Sequence, residues 1–203
     1  MAICFGLLDV DELPWAARRL AEVVRESGHL VTTGFAGTPY VTWALSENGY
    51  VADAYRLLLQ TQCPSWLYPV TMGATTIWER WDSMLPDGSI NPGDMTSFNH
   101  YALGAVADWI YQVVAGIRTS EPGGRRVRIQ PVPGPGIDWV RASRDLRHGR
   151  VAVDWSVKEG QFDLHVVLPD GVVADVVLPD GKRDVVAGGE HWLSCATAEA
   201  LPV

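Results

Sequence analysis

The sequence has little of what marks a secreted, membrane-bound or disulfide-linked protein. Its 203 residues include only three cysteines, Cys4, Cys63 and Cys195, which are far apart and form no C-x-x-C pair. We therefore expect free thiols in a reducing compartment and a cytoplasmic protein. No apolar run approaches the length of a membrane span, and the first residues lack the basic segment of a secretion signal.

Positive charge is also scarce. Lysine and arginine number 16 against 24 aspartates and glutamates, which gives a formal net charge of -8. Such a balance argues against phosphate backbones and anionic membranes as partners, because both repel an acidic surface. We expect no nucleic-acid partner and no membrane partner.

Several common catalytic motifs are missing. The glycine-bearing loop at 33–40 is followed by no G-K-[ST] and preceded by no G-x-G-x-x-G, which argues against a phosphate-binding loop. The histidines show no metal-ligand spacing, and no serine lies in a G-x-S-x-G turn. We therefore expect no metal site, no cofactor and no serine nucleophile.

Tryptophan, in contrast, is abundant, with nine residues in the chain. Two of them, Trp78 and Trp81, flank Glu79. Indole faces pack against the apolar faces of sugars, and a carboxylate binds hydroxyls or activates water. This stretch favours a sugar site, although a structural ion pair beside core tryptophans explains the same residues.

Local signals around this stretch predict a short helix. Thr75 or Thr76 would cap it, and on that helix Glu79 and Asp82, three residues apart, would share one face.

Helical periodicity dominates the chain up to about residue 121. A first helix follows Asp11 as N-cap, a second begins at Thr38 as N-cap, and a third covers 51–59. A further helix, apolar nearly all round and therefore expected to be an inner one, should run from about Ser97 to Ala115. The pattern predicts about five helices.

Beyond the breaker Glu121-Pro-Gly-Gly124, strand signals repeat about every ten residues. The predicted strands are 126–130, 136–143, 150–157, 161–168, 172–178 and 191–195. Asp170-Gly171 and Asp180-Gly181 are predicted to be hairpin turns. We expect an antiparallel β-sandwich, with domains at 1–121 and 122–203 and a frayed tail after Ala196. The aromatic residues Trp139, Trp155, Phe162 and Trp192 are expected to lie in its core.

Several blocks of the sequence resemble the C-terminal region of bacterial α-L-rhamnosidases. These blocks are Thr33-Gly-Phe-Ala-Gly-Thr-Pro-Tyr40, Asn48-Gly-Tyr50, Tyr55-Arg-Leu-Leu-Leu-Gln60, Pro64-Ser-Trp-Leu-Tyr68, Gly73-Ala-Thr-Thr-Ile-Trp-Glu-Arg-Trp-Asp82, Ser97-Phe-Asn-His-Tyr-Ala-Leu-Gly-Ala-Val-Ala-Asp-Trp109 and Ala115-Gly-Ile117. They follow one another over essentially the whole chain. The family consists of inverting glycoside hydrolases with an (α/α)6 toroid followed by a small β-sandwich, so the resemblance implies a partial toroid here.

The resemblance also implies roles for two residues. Glu79 matches the general base that takes a proton from the attacking water, and His100 matches a histidine that binds a substrate hydroxyl. The implied substrate is a rhamnose-containing glycoside with a terminal non-reducing α-L-rhamnose. Arg80, Trp81 and Asp82 match neighbours of the base without an implied sugar contact.

The sequence departs from the family pattern in one respect. The acidic, arginine-containing motif that carries the family's general acid has no counterpart in this chain. We therefore expect a truncated or split rhamnosidase that is inactive alone, exposes an apolar flank and pairs with the missing part of the toroid. The alternative is a non-catalytic fragment that binds carbohydrate or a partner.

Overall fold

The computed structural model describes residues 1–197, and these form two compact units. The first unit covers Met1–Ala107, and the second begins at Asp108. The predicted domain boundary after residue 121 stays a prediction. The longest described helix has 14 residues, and no helix among residues 1–197 has the length and apolar character that crossing a bilayer requires. The expected fraying of the tail concerns mainly residues 198–203, which lie outside the described residues.

The helices are short and mostly follow the predicted order. They are α1 (Leu13–Glu26), α2 (Thr38–Ser46), α3 (Val51–Leu59), α4 (Leu67–Thr71), a 3₁₀ turn (Ala102–Ala105), α5 (Val106–Trp109) and a π-helical turn (Ile110–Val114). The prediction of about five helices is therefore confirmed. Helix α1 ends before Gly28, whose positive φ of 69° suits a residue without a side chain.

The predicted caps are less accurate than the helices. The residue before α1 is Glu12 rather than Asp11, and it caps through no side-chain bond. Thr38 is the first residue of α2, and its hydroxyl donates to the carbonyl oxygens of Thr33 and Gly34. The helix predicted from Ser97 begins only at Ala102, because the residues before it pair with the stretch that carries Glu79.

The expected inner helix has an exposed side in the described residues. Trp109, Val113 and Val114 are buried, whereas Asp108 and Tyr111 are exposed. An all-round apolar pattern does not require burial on all sides, since folded proteins still expose much apolar surface.

Six strands follow, at β1 (Ile117–Thr119), β2 (Arg126–Ile129), β3 (Trp139–Leu146), β4 (Gly149–Lys158), β5 (Gln161–Val177) and β6 (Arg183–Ala196). Hydrogen bonds join them into one sheet in the order β1-β2-β5-β4-β3, with β6 on the other side of β5. All pairs are antiparallel except β2 with β5, which is parallel. The long β5 pairs with β4 through its first half and with β2 through its second half.

Two of the predicted β features are wrong. Asp170-Gly171 is not a hairpin turn, because β5 continues through it with a bulge between Leu168 and Val173. Trp139 and Trp192 are exposed rather than in the core, whereas Trp155 and Phe162 are completely buried. The turn at Asp180-Gly181 is confirmed, since it connects β5 to β6.

A buried carboxylate ties α1 to α3. Asp53, only 2% exposed, accepts hydrogen bonds from Arg25 Nε at 2.8 Å and Nη2 at 2.6 Å, and lies 3.1 Å from His29 Nε2. Burial by itself raises the pKa of Asp53, but the bonds from Arg25 and His29 outweigh it and hold the pKa below its ordinary value. The charged form therefore stabilises the folded helical unit.

We expect Asp53→Asn to lower the free energy of unfolding at pH 7 by about 1–3 kcal/mol, because Arg25 loses its anionic acceptor. A lowered folded-state pKa contributes stability above the unfolded pKa of about 4, and this is lost as the pH falls further. The difference between variant and wild type should therefore shrink in acid. Urea unfolding across pH measures it. Glu26→Gln, which removes only an exposed pair with Arg19, is the control. A gap that persists unchanged in acid contradicts the assignment.

Candidate active site

The stretch around Glu79 is an extended, irregular segment. No helix covers residues 73–83, so the predicted short helix capped by Thr75 or Thr76 is wrong. Glu79 and Asp82 consequently do not share a helix face. The Thr76 hydroxyl instead donates to the carbonyl oxygen of Phe98. Residues 76–79 make hydrogen bonds with a distant part of the chain, and a local sequence pattern does not reveal that choice.

Residues 76–79 lie beside residues 97–100. The Glu79 amide donates to the Ser97 carbonyl at 2.9 Å, and the His100 amide donates to the Ile77 carbonyl at 2.8 Å. The Ser97 amide donates to Glu79 Oε2 at 3.1 Å. These bonds place Glu79 and His100 on two adjoining segments and orient the Glu79 carboxylate from the backbone.

The half-buried Glu79 lines an open cleft of about 460 Å³ in the helical unit. The other residues that line it are Thr33, Gly34, Phe35, Arg80, Trp81, Asp82, Asp94, Met95 and Leu103. A cleft of this volume falls within the range of small-molecule sites. A carboxylate with one oxygen held by an N–H and access to a cleft can accept a proton from a bound water.

Arg80 makes hydrogen bonds with Asp82 and Asp94. Its Nε donates to Asp82 Oδ1 at 2.6 Å, and its Nη1 donates to the Asp94 carbonyl at 3.3 Å. Asn91 Nδ2 donates to Asp82 Oδ2 at 2.9 Å. The structural ion pair considered for this stretch thus exists between Arg80 and Asp82, and it fixes the segment around residues 91–94 beside the cleft.

The two tryptophans next to Glu79 have different positions. Trp78 is buried and packs edge-to-face on Phe98 at 5.1 Å between ring centroids. Trp81 is half-buried, lines the cleft and packs edge-to-face on Trp66. Only Trp81 is therefore available to a ligand in this cleft.

His100 lies close to the cleft. Among the described residues that line the cleft, however, His100 is not included. Its ring stacks on Tyr101, with ring centroids 5.4 Å apart, and on Phe35, with ring centroids 5.1 Å apart. Phe35 lines the cleft. His100 Nδ1 accepts a hydrogen bond from the Ala102 amide at 3.3 Å. In the neutral ring the proton is then on Nε2, which makes that nitrogen a donor.

The sequence reasoning missed Phe35, Asp94 and Met95 as lining residues. Phe35 lies in the glycine-bearing loop at 33–40, which is one of the blocks that resemble the family. That resemblance was the available signal. Asp94 and Met95 lie in a turn-rich segment with no local pattern that indicates a site, and only the contact of Arg80 with this segment brings them to the cleft.

Comparison with known families identifies the family of this chain. Residues 1–114 match the model of the bacterial alpha-L-rhamnosidase 6 hairpin glycosidase domain, and residues 116–192 match that of the bacterial alpha-L-rhamnosidase C-terminal domain. The helical unit with its cleft thus matches a domain of the glycosidase class. The chain belongs to the bacterial α-L-rhamnosidase family, as the sequence blocks predicted.

Curated relatives agree with this assignment. The chain is 42% identical over 171 residues to an alpha-L-rhamnosidase of Streptomyces avermitilis, covering 84% of this chain and 17% of that protein. It is 36% identical over 193 residues to one of Formosa agariphila, covering 95% and 21%. The chain therefore spans about a fifth of the length of the curated relatives it matches.

Solved structures show the same fold. A native α-L-rhamnosidase from Aspergillus terreus is similar with a TM-score of 0.93 and 40% identity over 97% of this chain and 23% of that one. The Streptomyces avermitilis α-L-rhamnosidase complexed with L-rhamnose gives 0.89 and 36% over 96% of this chain and 21% of that one.

Proposed function

We propose that this chain forms the base-carrying part of the active site of an α-L-rhamnosidase. The complete enzyme would hydrolyse terminal non-reducing α-L-rhamnosides with inversion. The observation that carries the proposal is the position of the Glu79 carboxylate, half-buried, held by the Ser97 amide and lining an open cleft.

In the proposed mechanism Glu79 removes a proton from a water that attacks the anomeric carbon. An inverting enzyme needs a second carboxyl group about 6.5–9.5 Å away to protonate the leaving oxygen. The oxygens of Asp82 are already occupied by Arg80 and Asn91, which argues against this neighbour as the acid. We propose that the acid comes from polypeptide outside these 203 residues.

His100 is proposed to bind a hydroxyl of the sugar as a donor. With Nδ1 accepting from the Ala102 amide, Nε2 carries the proton that a sugar oxygen can accept. Stacking on Phe35 and Tyr101 holds the ring in place.

The finer architecture is proposed to follow the family as well. The helices would be part of an (α/α)6 toroid, and the β-rich unit would form a sandwich. Several apolar side chains of the helical unit are exposed, among them Leu7, Val10 and Trp15. We propose that the remaining part of the toroid covers them, because apolar area removed from water stabilises association. A cytoplasmic location stays a prediction.

The proposal predicts that the 203-residue chain alone hydrolyses an aryl α-L-rhamnoside at least about 10²-fold more slowly than a complete enzyme, because general acid catalysis is missing. The complete enzyme for this comparison is a chimera in which the chain replaces the matching segment of the Streptomyces avermitilis α-L-rhamnosidase. Chromophore release measures both rates. A folded but inactive chimera, or equal rates for the two proteins, contradicts the proposal.

A further inference from the structure

One face of the sheet carries side chains that the active-site cleft does not use. Cross-strand neighbours form two rows, Trp139-Ser156-Asp163-Ser194 and Arg141-Asp154-His165-Trp192, across strands β3 to β6. Residues that are paired across strands point to the same side of a sheet. These eight side chains therefore share one face, and the buried Trp155 and Phe162 belong to the opposite face.

Two exposed tryptophans lie at the edges of this face. Trp139 on β3 is 68% exposed, and Trp192 on β6 is 71% exposed. Three strand spacings and a two-residue offset separate their Cα atoms by about 16 Å. The Trp192 ring stacks on His165, with centroids 4.7 Å apart and planes at 12°. The second indole is therefore held by a neighbouring ring although most of its area remains in water.

Beside Trp192 the face is polar and hollow. A cavity of about 330 Å³ is lined by Trp192 and His165 together with Asp154, Ser156, Asp163 and Ser194. Arg141 Nε donates to Asp154 Oδ2 at 2.7 Å, which leaves the other Asp154 oxygen and the hydroxyls as hydrogen-bonding groups. The hollow thus offers acceptors and donors beside one flat indole, that of Trp192, and Trp139 lies on the same face outside the lining of the hollow.

We propose that this face is a second carbohydrate-binding site, one that binds a neutral oligosaccharide across β3–β6. Sugar rings present apolar C–H faces that pack on indoles, and their hydroxyls bond to carboxylates and serines. An apolar peptide would remove Asp163 and the Asp154 oxygen that Arg141 does not bond from water without supplying hydrogen-bond donors, which is unfavourable. An anionic polysaccharide would be repelled by the same carboxylates. The site is separate from Glu79 and does not depend on the proposed hydrolysis.

Titration calorimetry on the full 203-residue chain tests the site. The probes are a tetrasaccharide of α-linked L-rhamnose, a tetrasaccharide of β-linked glucose and a tetrasaccharide of galacturonate. We expect binding of at least one neutral probe and none of the galacturonate. Trp139→Ala and Trp192→Ala should each weaken binding about tenfold. Trp15→Ala, an exposed tryptophan of the helical unit, is the matched control and should bind like wild type.

The proposal is overturned if neither neutral probe binds, or if binding is unchanged in both sheet variants. Thermal unfolding of each variant confirms that it is folded, since both tryptophans are exposed and their loss should leave the melting temperature nearly unchanged. Self-association that depends on Trp139 and Trp192, without sugar binding, also overturns it and identifies the face as a protein interface. Binding that survives in the sheet variants but is lost in Glu79→Gln places the sugar in the helical cleft instead.

Discussion

Glu79→Gln is expected to lower the rate of α-L-rhamnoside hydrolysis by about 10²–10⁴-fold in the chimeric enzyme that contains this chain. Glutamine preserves the shape of the side chain and can still accept the hydrogen bond from the Ser97 amide, but it takes no proton from water. The loss should appear in kcat rather than in KM, because the base acts in the transition state. Steady-state kinetics with an aryl α-L-rhamnoside measures both constants.

Azide separates a base from a structural residue. This anion attacks the anomeric carbon without losing a proton, so it should restore turnover to Glu79→Gln and release a rhamnosyl azide of inverted configuration. Glu22→Gln, on the exposed surface of α1, is the matched control and should leave the rate unchanged. Full activity of Glu79→Gln, or a loss that azide does not repair in a folded protein, contradicts the assignment of Glu79 as base.

Gly116→Ala is expected to destabilise the β-rich unit by about 2–5 kcal/mol. Gly116 has a φ of 77°, a conformation that disfavours any side chain. An added Cβ would also lie 2.6 Å from Pro131 Cα and closer still to the peptide bond between Gln130 and Pro131. That backbone is held by the Gln130 amide, which donates to the Gly116 carbonyl at 2.9 Å, so it cannot move without losing the bond.

Gly123→Ala is the matched control for this substitution. Gly123 has a similar φ of 85°, but an added Cβ there would meet no atom within 4 Å among the described residues. It should therefore show only the conformational cost of about 1–2 kcal/mol. Urea unfolding followed by circular dichroism measures both variants. If the two substitutions lower the free energy of unfolding equally, the close approach to Pro131 contributes nothing to the destabilisation.

The extent to which sequence predicts this structure differs between elements. Helix α1 followed from its apolar spacing and from Gly28, because local periodicity and a local stop signal were enough. The length of β5 did not follow from the sequence, because Asp170-Gly171 is a local turn signal. Pairing with β6 on both sides of the bulge overrides this signal. Trp139 and Trp192 were assigned to the core because composition does not distinguish the two faces of a strand at the edge of a sheet.

The sequence by itself determined the family, the order of helices before strands and the choice of Glu79 and His100 as candidates, because these depend on residue types and their spacing. Only the tertiary structure decided what surrounds them. The bonds between residues 76–79 and 97–100, the bond from Arg80 to the Asp94 carbonyl and the cleft beside Glu79 all join residues far apart in the chain. Such long-range hydrogen bonds depend on which groups the fold leaves without a local partner, and no short pattern contains that information.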